Sequence, residues 1–122
     1  MLGGAHVVND LEERLLYQDG QLSVTLRVAP GAPAVALTGE VDATNSPALA
    51  STLSDSRGGN TYIWVDTGGL TFIDLSGLRV LVMPALPPDE RWIRLHNLTP
   101  HLRRLLRMMG WFYTPRPYDV PL

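Results

Sequence analysis

Hydrophobic and polar positions alternate early in the chain. Leu22, Val24, Leu26 and Val28 are separated by Ser23, Thr25 and Arg27, which is the two-residue period of a half-buried strand. Leu15-Leu-Tyr-Gln precedes them across Asp19-Gly20, a dipeptide that favours a tight hairpin turn. After a Pro30-Gly-Ala-Pro33 loop, Ala34 to Thr38 reads as a third strand ending at Gly39. The pattern then changes. Thr44, Asn45 and Ser46 are N-cap types and Pro47 suits a first helical turn, so a short helix is expected up to the Arg57-Gly-Gly-Asn60 loop. Thr61-Tyr-Ile-Trp-Val65 has the β-branched and aromatic make-up of a buried strand. Gly68-Gly69 reads as a loosening of the chain, and Leu70 to Asp74 as a loop entering a helix that starts near Ser76. Pro84 bounds that helix. Arg91 to His96 is the next expected strand. Thr99-Pro100 then joins an N-cap to a proline in the first helical position. The helix it opens carries Leu102, Leu105, Leu106 and Met109 on one stripe and Arg103, Arg104 and Arg107 opposite. Gly110 suits its C-terminal stop, and Trp111 to Tyr113 reads as a last short strand.

Strands alternating with helices imply parallel crossovers, while the opening hairpin is antiparallel. The expected fold is therefore α/β: a small mixed sheet packed with about three or four helices that cover one face more than the other. The expected organisation is a flexible arm over 1–14, one domain over 15–113 and a Pro-rich tail over 114–122. No internal repeat is visible.

Composition narrows the function. The 122 residues suit one domain. There is no Cys and no Lys; all ten basic residues are Arg. That excludes a disulfide framework, a Cys nucleophile, a Walker-A loop and a Schiff-base lysine. The longest apolar runs fall far short of the roughly 20 residues that span a bilayer. The N-terminus lacks a basic start and a long apolar run, so no membrane insertion and a cytoplasmic location are expected. Charge is uneven. Residues 1–90 hold eleven acidic residues and four Arg, whereas 91–122 hold six Arg and one Asp. The Arg103, Arg104, Arg107 face lacks interleaved aromatics and reads as a solvated helix face, so no direct nucleic-acid binding is expected. Met108, Met109 and Trp111 read as core and helix-end packing.

The most informative stretch is Phe72-Ile-Asp74-Leu75-Ser76-Gly77. It brings a carboxylate and a hydroxyl to the N-terminus of a helix, where free N–H groups and the dipole favour negative charge. On these residues alone, helix capping by Asp74 or Ser76 is the stronger reading. Glu40 and Asp42 form a carboxylate pair before the first helix, and turn-forming roles outweigh acid–base work there. His96 and His101 have no carboxylate in register, so no metal site and no cofactor are expected. A hydrolase using Asp42 or Asp74 with Ser76 has no visible base–nucleophile pair, and no enzymatic activity is expected.

Three segments together resemble the STAS-domain family of anti-sigma-factor antagonists and related regulatory modules. They are Leu37-Thr-Gly-Glu-Val-Asp42, the run from Ile63 through Asp74-Leu-Ser-Gly77 to Leu81, and Asn97 to Trp111. The resemblance covers about 22–113. It implies a non-enzymatic module that docks on an anti-sigma factor of the histidine-kinase-like ATPase class and thereby influences sigma-factor-dependent transcription. It implies a docking surface of Asp42, Thr44, Asn45, Asp74, Leu75, Ser76 and Gly77. In phosphorylated members the acceptor Ser or Thr directly follows the loop Asp; here that position is Leu75, and Ser76 is the alternative acceptor. The family also includes accessory subunits of lipid-transport ABC complexes, in which an acceptor is dispensable. An exposed sheet edge and an apolar tail leave homodimer formation open.

Overall fold

A computed structural model describes residues 13–27, 33–82 and 90–110. Among these residues five strands form one sheet in the order β1 (Glu13–Gln18), β2 (Leu22–Arg27), β3 (Ala34–Val41), β4 (Ile63–Ile73), β5 (Ile93–His96). Three helices are interspersed among the described residues: α1 (Ser46–Arg57), α2 (Leu75–Val82) and α3 (Pro100–Met108). The first three strands pair antiparallel, and β3–β4 and β4–β5 pair parallel. This is the mixed α/β sheet expected. β1 starts at Glu13, so Glu13 and Arg14 belong to the sheet and not to the arm. The rest of the arm, the Trp111–Tyr113 strand and the Pro-rich tail lie outside the described residues.

One face of the sheet carries the core. Leu22, Val24, Val35, Leu37, Val41, Ile63 and Val65 are buried together with Leu49 and Leu53 of α1, Leu78 and Leu81 of α2, and Leu102 and Leu106 of α3. Each such side chain contributes about 1.5–3 kcal/mol on full burial. Right-handed β-α-β crossovers that step the same way along a sheet put their helices on one face. Accordingly α1 lies over β1 and β3, α2 over β4 and β5, and the two helices touch.

Two expected boundaries are corrected. β3 does not end at Gly39 but continues to Val41, because Val41 is fully buried and pairs with Ile73 of β4. Gly39 stays in the strand at φ +112°, where a Cβ would lie 1.9 Å from the Gln21 carbonyl oxygen. β4 does not end at Val65 but runs through Gly68-Gly69 to Ile73. Against β3 it carries one extra residue after Asp66 and another after Leu70. Each extra residue turns the following side chains to the opposite face. The inward set therefore passes from Ile63, Val65 and Thr67 to Leu70 and then Ile73. Gly69 permits this, since a Cβ there would sit 2.8 Å from the Leu37 carbonyl oxygen. The glycine pair is a bulge inside a strand, where close approach of β3 excludes a side chain.

Candidate functional site

β3 and β4 end side by side, with Val41 opposite Ile73. The residue after each is an aspartate, Asp42 and Asp74. A backbone bond from Asp74 N–H to the Val41 carbonyl, 3.1 Å, ties the two exits together. Both α1 and α2 begin within a few residues, so two helix N-termini open on this edge. The carboxyl ends of parallel strands are where open α/β sheets place ligands and partners.

Asp74 is the N-cap of α2. Its Oδ1 accepts from the Ser76 hydroxyl at 2.6 Å and from the Gly77 N–H at 3.1 Å. The helix therefore starts at Leu75, one residue before the expected Ser76. The Ser76 hydroxyl, then the Gly77 N–H, hold the Asp74 carboxyl below its ordinary value, and the charge of Asp42 opposes them. That repulsion reflects how close the fold brings the two carboxylates, which are 32 residues apart in sequence.

Asp42 organises the loop before α1. It accepts from the Thr44 hydroxyl and from the Thr44 N–H at 2.9 Å, and Gln21 Nε2 donates to its other oxygen at 3.2 Å. These bonds, the Thr44 hydroxyl first, lower its pKa. Both aspartates are thus ionised at neutral pH and present negative charge. Among the described residues no group of three His, Asp or Glu side chains is placed to hold a metal ion.

Two residues of the expected docking surface are not on the surface. Asn45 is 1% exposed. It does not cap α1 through its side chain but fastens the loop: its Oδ1 accepts from Asp42 N–H at 2.9 Å and its Nδ2 donates to the Glu40 carbonyl at 3.0 Å. Gly77 is buried too. A Cβ there would lie 2.7 Å from both Val41 Cγ1 and Ile73 Cγ1, so what comes close to its backbone is this chain's own β3 and β4 and not a partner. Asp42, Thr44, Asp74, Leu75 and Ser76 remain accessible, Leu75 being 54% exposed.

Three residues at this edge were not anticipated. Gln21 reaches Asp42 from the β1–β2 turn and also donates to Glu40 Oε1 at 3.3 Å. Only the β2–β3 pairing places it there, and no local spacing signals it. Phe72 is 49% exposed next to Leu75, because the second β4 bulge turns it outward. Met108, expected in the core, is 77% exposed and lines a surface recess with Leu75. Phe72 and Met108 are large apolar side chains in patterned runs, and only the packed fold shows which face each takes.

The sequence model of the family described as Mlab, STAS domain, matches residues 24–112. Among solved structures, the chain is similar to an anti-sigma factor antagonist from Mycobacterium paratuberculosis. The TM-score is 0.63 at 20% identity, covering 85% of this chain and 94% of that one. It is also similar to the anti-sigma factor antagonist SpoIIAA in its unphosphorylated form, with TM-score 0.54 and 23% identity over 70% of this chain and 82% of that one. At these identities the two likenesses speak to the fold. No curated protein sequence matches significantly.

Proposed function

The chain belongs to the STAS domain family, and from that footing we propose that it is a non-enzymatic docking module of the anti-sigma-factor-antagonist kind. Its partner in this reading is an anti-sigma factor of the histidine-kinase-like ATPase class, and docking frees a sigma factor for transcription in the cytoplasm. Asp42, Thr44, Asp74, Leu75 and Ser76 form the contact surface; Asn45 and Gly77 hold it in shape. The observation that carries the proposal is Leu75. It is a half-exposed leucine at a helix N-terminus, next to the ionised Asp74, which itself lies close to the ionised Asp42. An apolar side chain so placed gains by being covered, and a charged rim gives such contacts orientation and selectivity.

The reading excludes a phosphorylation switch at Leu75, which has no hydroxyl. Ser76 is the neighbouring hydroxyl, and its proton is engaged by Asp74 in the cap. A phosphate there would add nearly two negative charges beside Asp74 and Asp42 and break the cap. We assign Ser76 a capping role first.

The absent acceptor also favours a second reading, an accessory subunit of a lipid-transport ABC complex, since such a subunit needs no phosphate switch at this edge. One experiment separates the two. Tagged protein is used to capture partners from its host lysate with and without ATP, alongside Leu75→Asp. The expected result is an anti-sigma ATPase held by the native chain and depleted at least about tenfold by Leu75→Asp, about 1.4 kcal/mol of binding. Transporter subunits in its place would replace the first reading with the second. Undiminished capture by Leu75→Asp would remove this surface from both.

A further inference from the structure

The described residues expose six large apolar side chains, and four of them, Phe72, Leu75, Met108 and Met109, line one recess between the start of α2 and the end of α3. Its volume is about 540 Å³, and Leu78 and Leu105 form more of its wall. An apolar concavity of this kind marks an interaction site. Two of its four exposed side chains are methionines, which repack readily around an incoming surface. Helical spacing sets exposed Arg79 one turn beyond Leu75 on α2. It likewise sets exposed Arg104 one turn from both His101 and Met108 on α3. Basic side chains from two helices thus flank an apolar trough. Asp74 also lines it and supplies negative charge there.

We propose that this recess receives an acidic amphipathic helix of the docked partner, with its leucine-type face in the trough, its Glu or Asp flanks toward Arg79 and Arg104, and its N-terminus toward Asp74. The proposal rests on the docking function above and names the chemistry of the partner at that surface. A helix in a groove is a recurring recognition mode, read as apolar anchors at i, i+3, i+4 and i+7. The orientation follows from the macrodipole, whose positive N-terminal end faces the aspartate while carboxylates meet the arginines. An anionic bilayer fits less well. Basic amphipathic membrane binders present an apolar ridge that sinks among the lipids, whereas here the apolar atoms line a recess and two ionised aspartates share the edge.

The test uses two synthetic helical peptides of about 15 residues, a length at which isolated helices become marginally stable. Both carry leucines at the anchor spacing; one has glutamate flanks and the other lysine flanks. Binding to the full chain is followed by NMR shifts at low salt, together with anionic phosphatidylserine-containing vesicles. The expected result is that the glutamate peptide binds at least about tenfold tighter than the lysine peptide, the gap expected for complementary over like charge. Its shifts should centre on Leu75, Leu105 and Met108. Met108→Asp should weaken binding, and Arg104→Glu should remove the preference for glutamate. Equal binding of both peptides, shifts centred elsewhere, or binding of vesicles but of neither peptide would overturn the proposal. Capture of the ATPase partner separates this inference from the reading beneath it. If Met108→Asp and Arg104→Glu retain full capture while Leu75→Asp loses it, the groove assignment fails and the docking surface stands.

Discussion

Gly77 shows how much a single residue does at this edge. It lets α2 rest directly on Val41 and Ile73, the last residues of the two parallel strands, and so fixes where the Asp74 cap and Leu75 are presented. Gly77→Ala would add a methyl 2.7 Å from two buried branched side chains. Overpacking of this sort costs about 1–3 kcal/mol, against a gain of about 1 kcal/mol from replacing glycine in a helix. A net loss of up to about 2 kcal/mol follows from those two terms. Urea denaturation measures it, and a variant as stable as the native chain would show that the edge yields more easily than its packing implies. The family resemblance puts Gly77 on the docking surface, whereas its role is inside the fold. Glycine signals a close approach, but whether the approaching group is a partner or the protein's own core depends on what packs above it.

At the scale of elements, local chemistry was most legible where it is self-contained. The α3 start is such a case: the Thr99 hydroxyl accepts from Leu102 N–H at 3.2 Å, Pro100 follows, and Gly110 ends the helix region at φ +73°. Thr99→Ala should cost about 1 kcal/mol, the usual worth of an N-cap. A thermal melt reads it as a drop of a few degrees, and an unchanged midpoint would mean that burial of Leu102 and Leu106 alone sets the helix start. β4 was legible only in part. Its first half has the composition of a strand, while its second half contains two glycines and has the local pattern of a loop. Pairing with β3 overrides that propensity, because eight residues of β3 align with ten of β4 only through two bulges, one just before Gly69 and one at Thr71.

At the scale of the molecule, the hairpin turn, both strand exits and two helix starts converge on one acidic edge. Asp19, held at about 2 by the Tyr17 hydroxyl and the N–H groups of Gln21 and Leu22, belongs to the same group as Asp42 and Asp74. All three have folded pKa values below the ordinary 3.8. A depressed carboxylate stabilises the fold above its unfolded value and loses that contribution as pH falls through its folded value. Stability should therefore hold from neutral pH to about 5 and decline from about 4 toward 2. Melting temperatures across that range check this, and Asp19→Asn should flatten the lower part of the decline. A profile unaffected by Asp19→Asn would place the acid sensitivity elsewhere.

The amino-acid sequence alone determined the alternation of strands and helices, the antiparallel opening, the cap at Thr99, a cap at either Asp74 or Ser76, and the family. Each of these rests on contacts between residues close along the chain or on motifs read in order. The tertiary structure decided the rest. It extended β4 through its glycines, buried Asn45 and Gly77, brought Gln21 to Asp42, and left Phe72 and Met108 beside Leu75 in one recess. The physical reason is that a local pattern gives a side chain's polarity but not the face it ends on. In β4 that face is set by register, which bulges alter residue by residue. At the end of α3 it is set by which neighbouring element arrives to cover it.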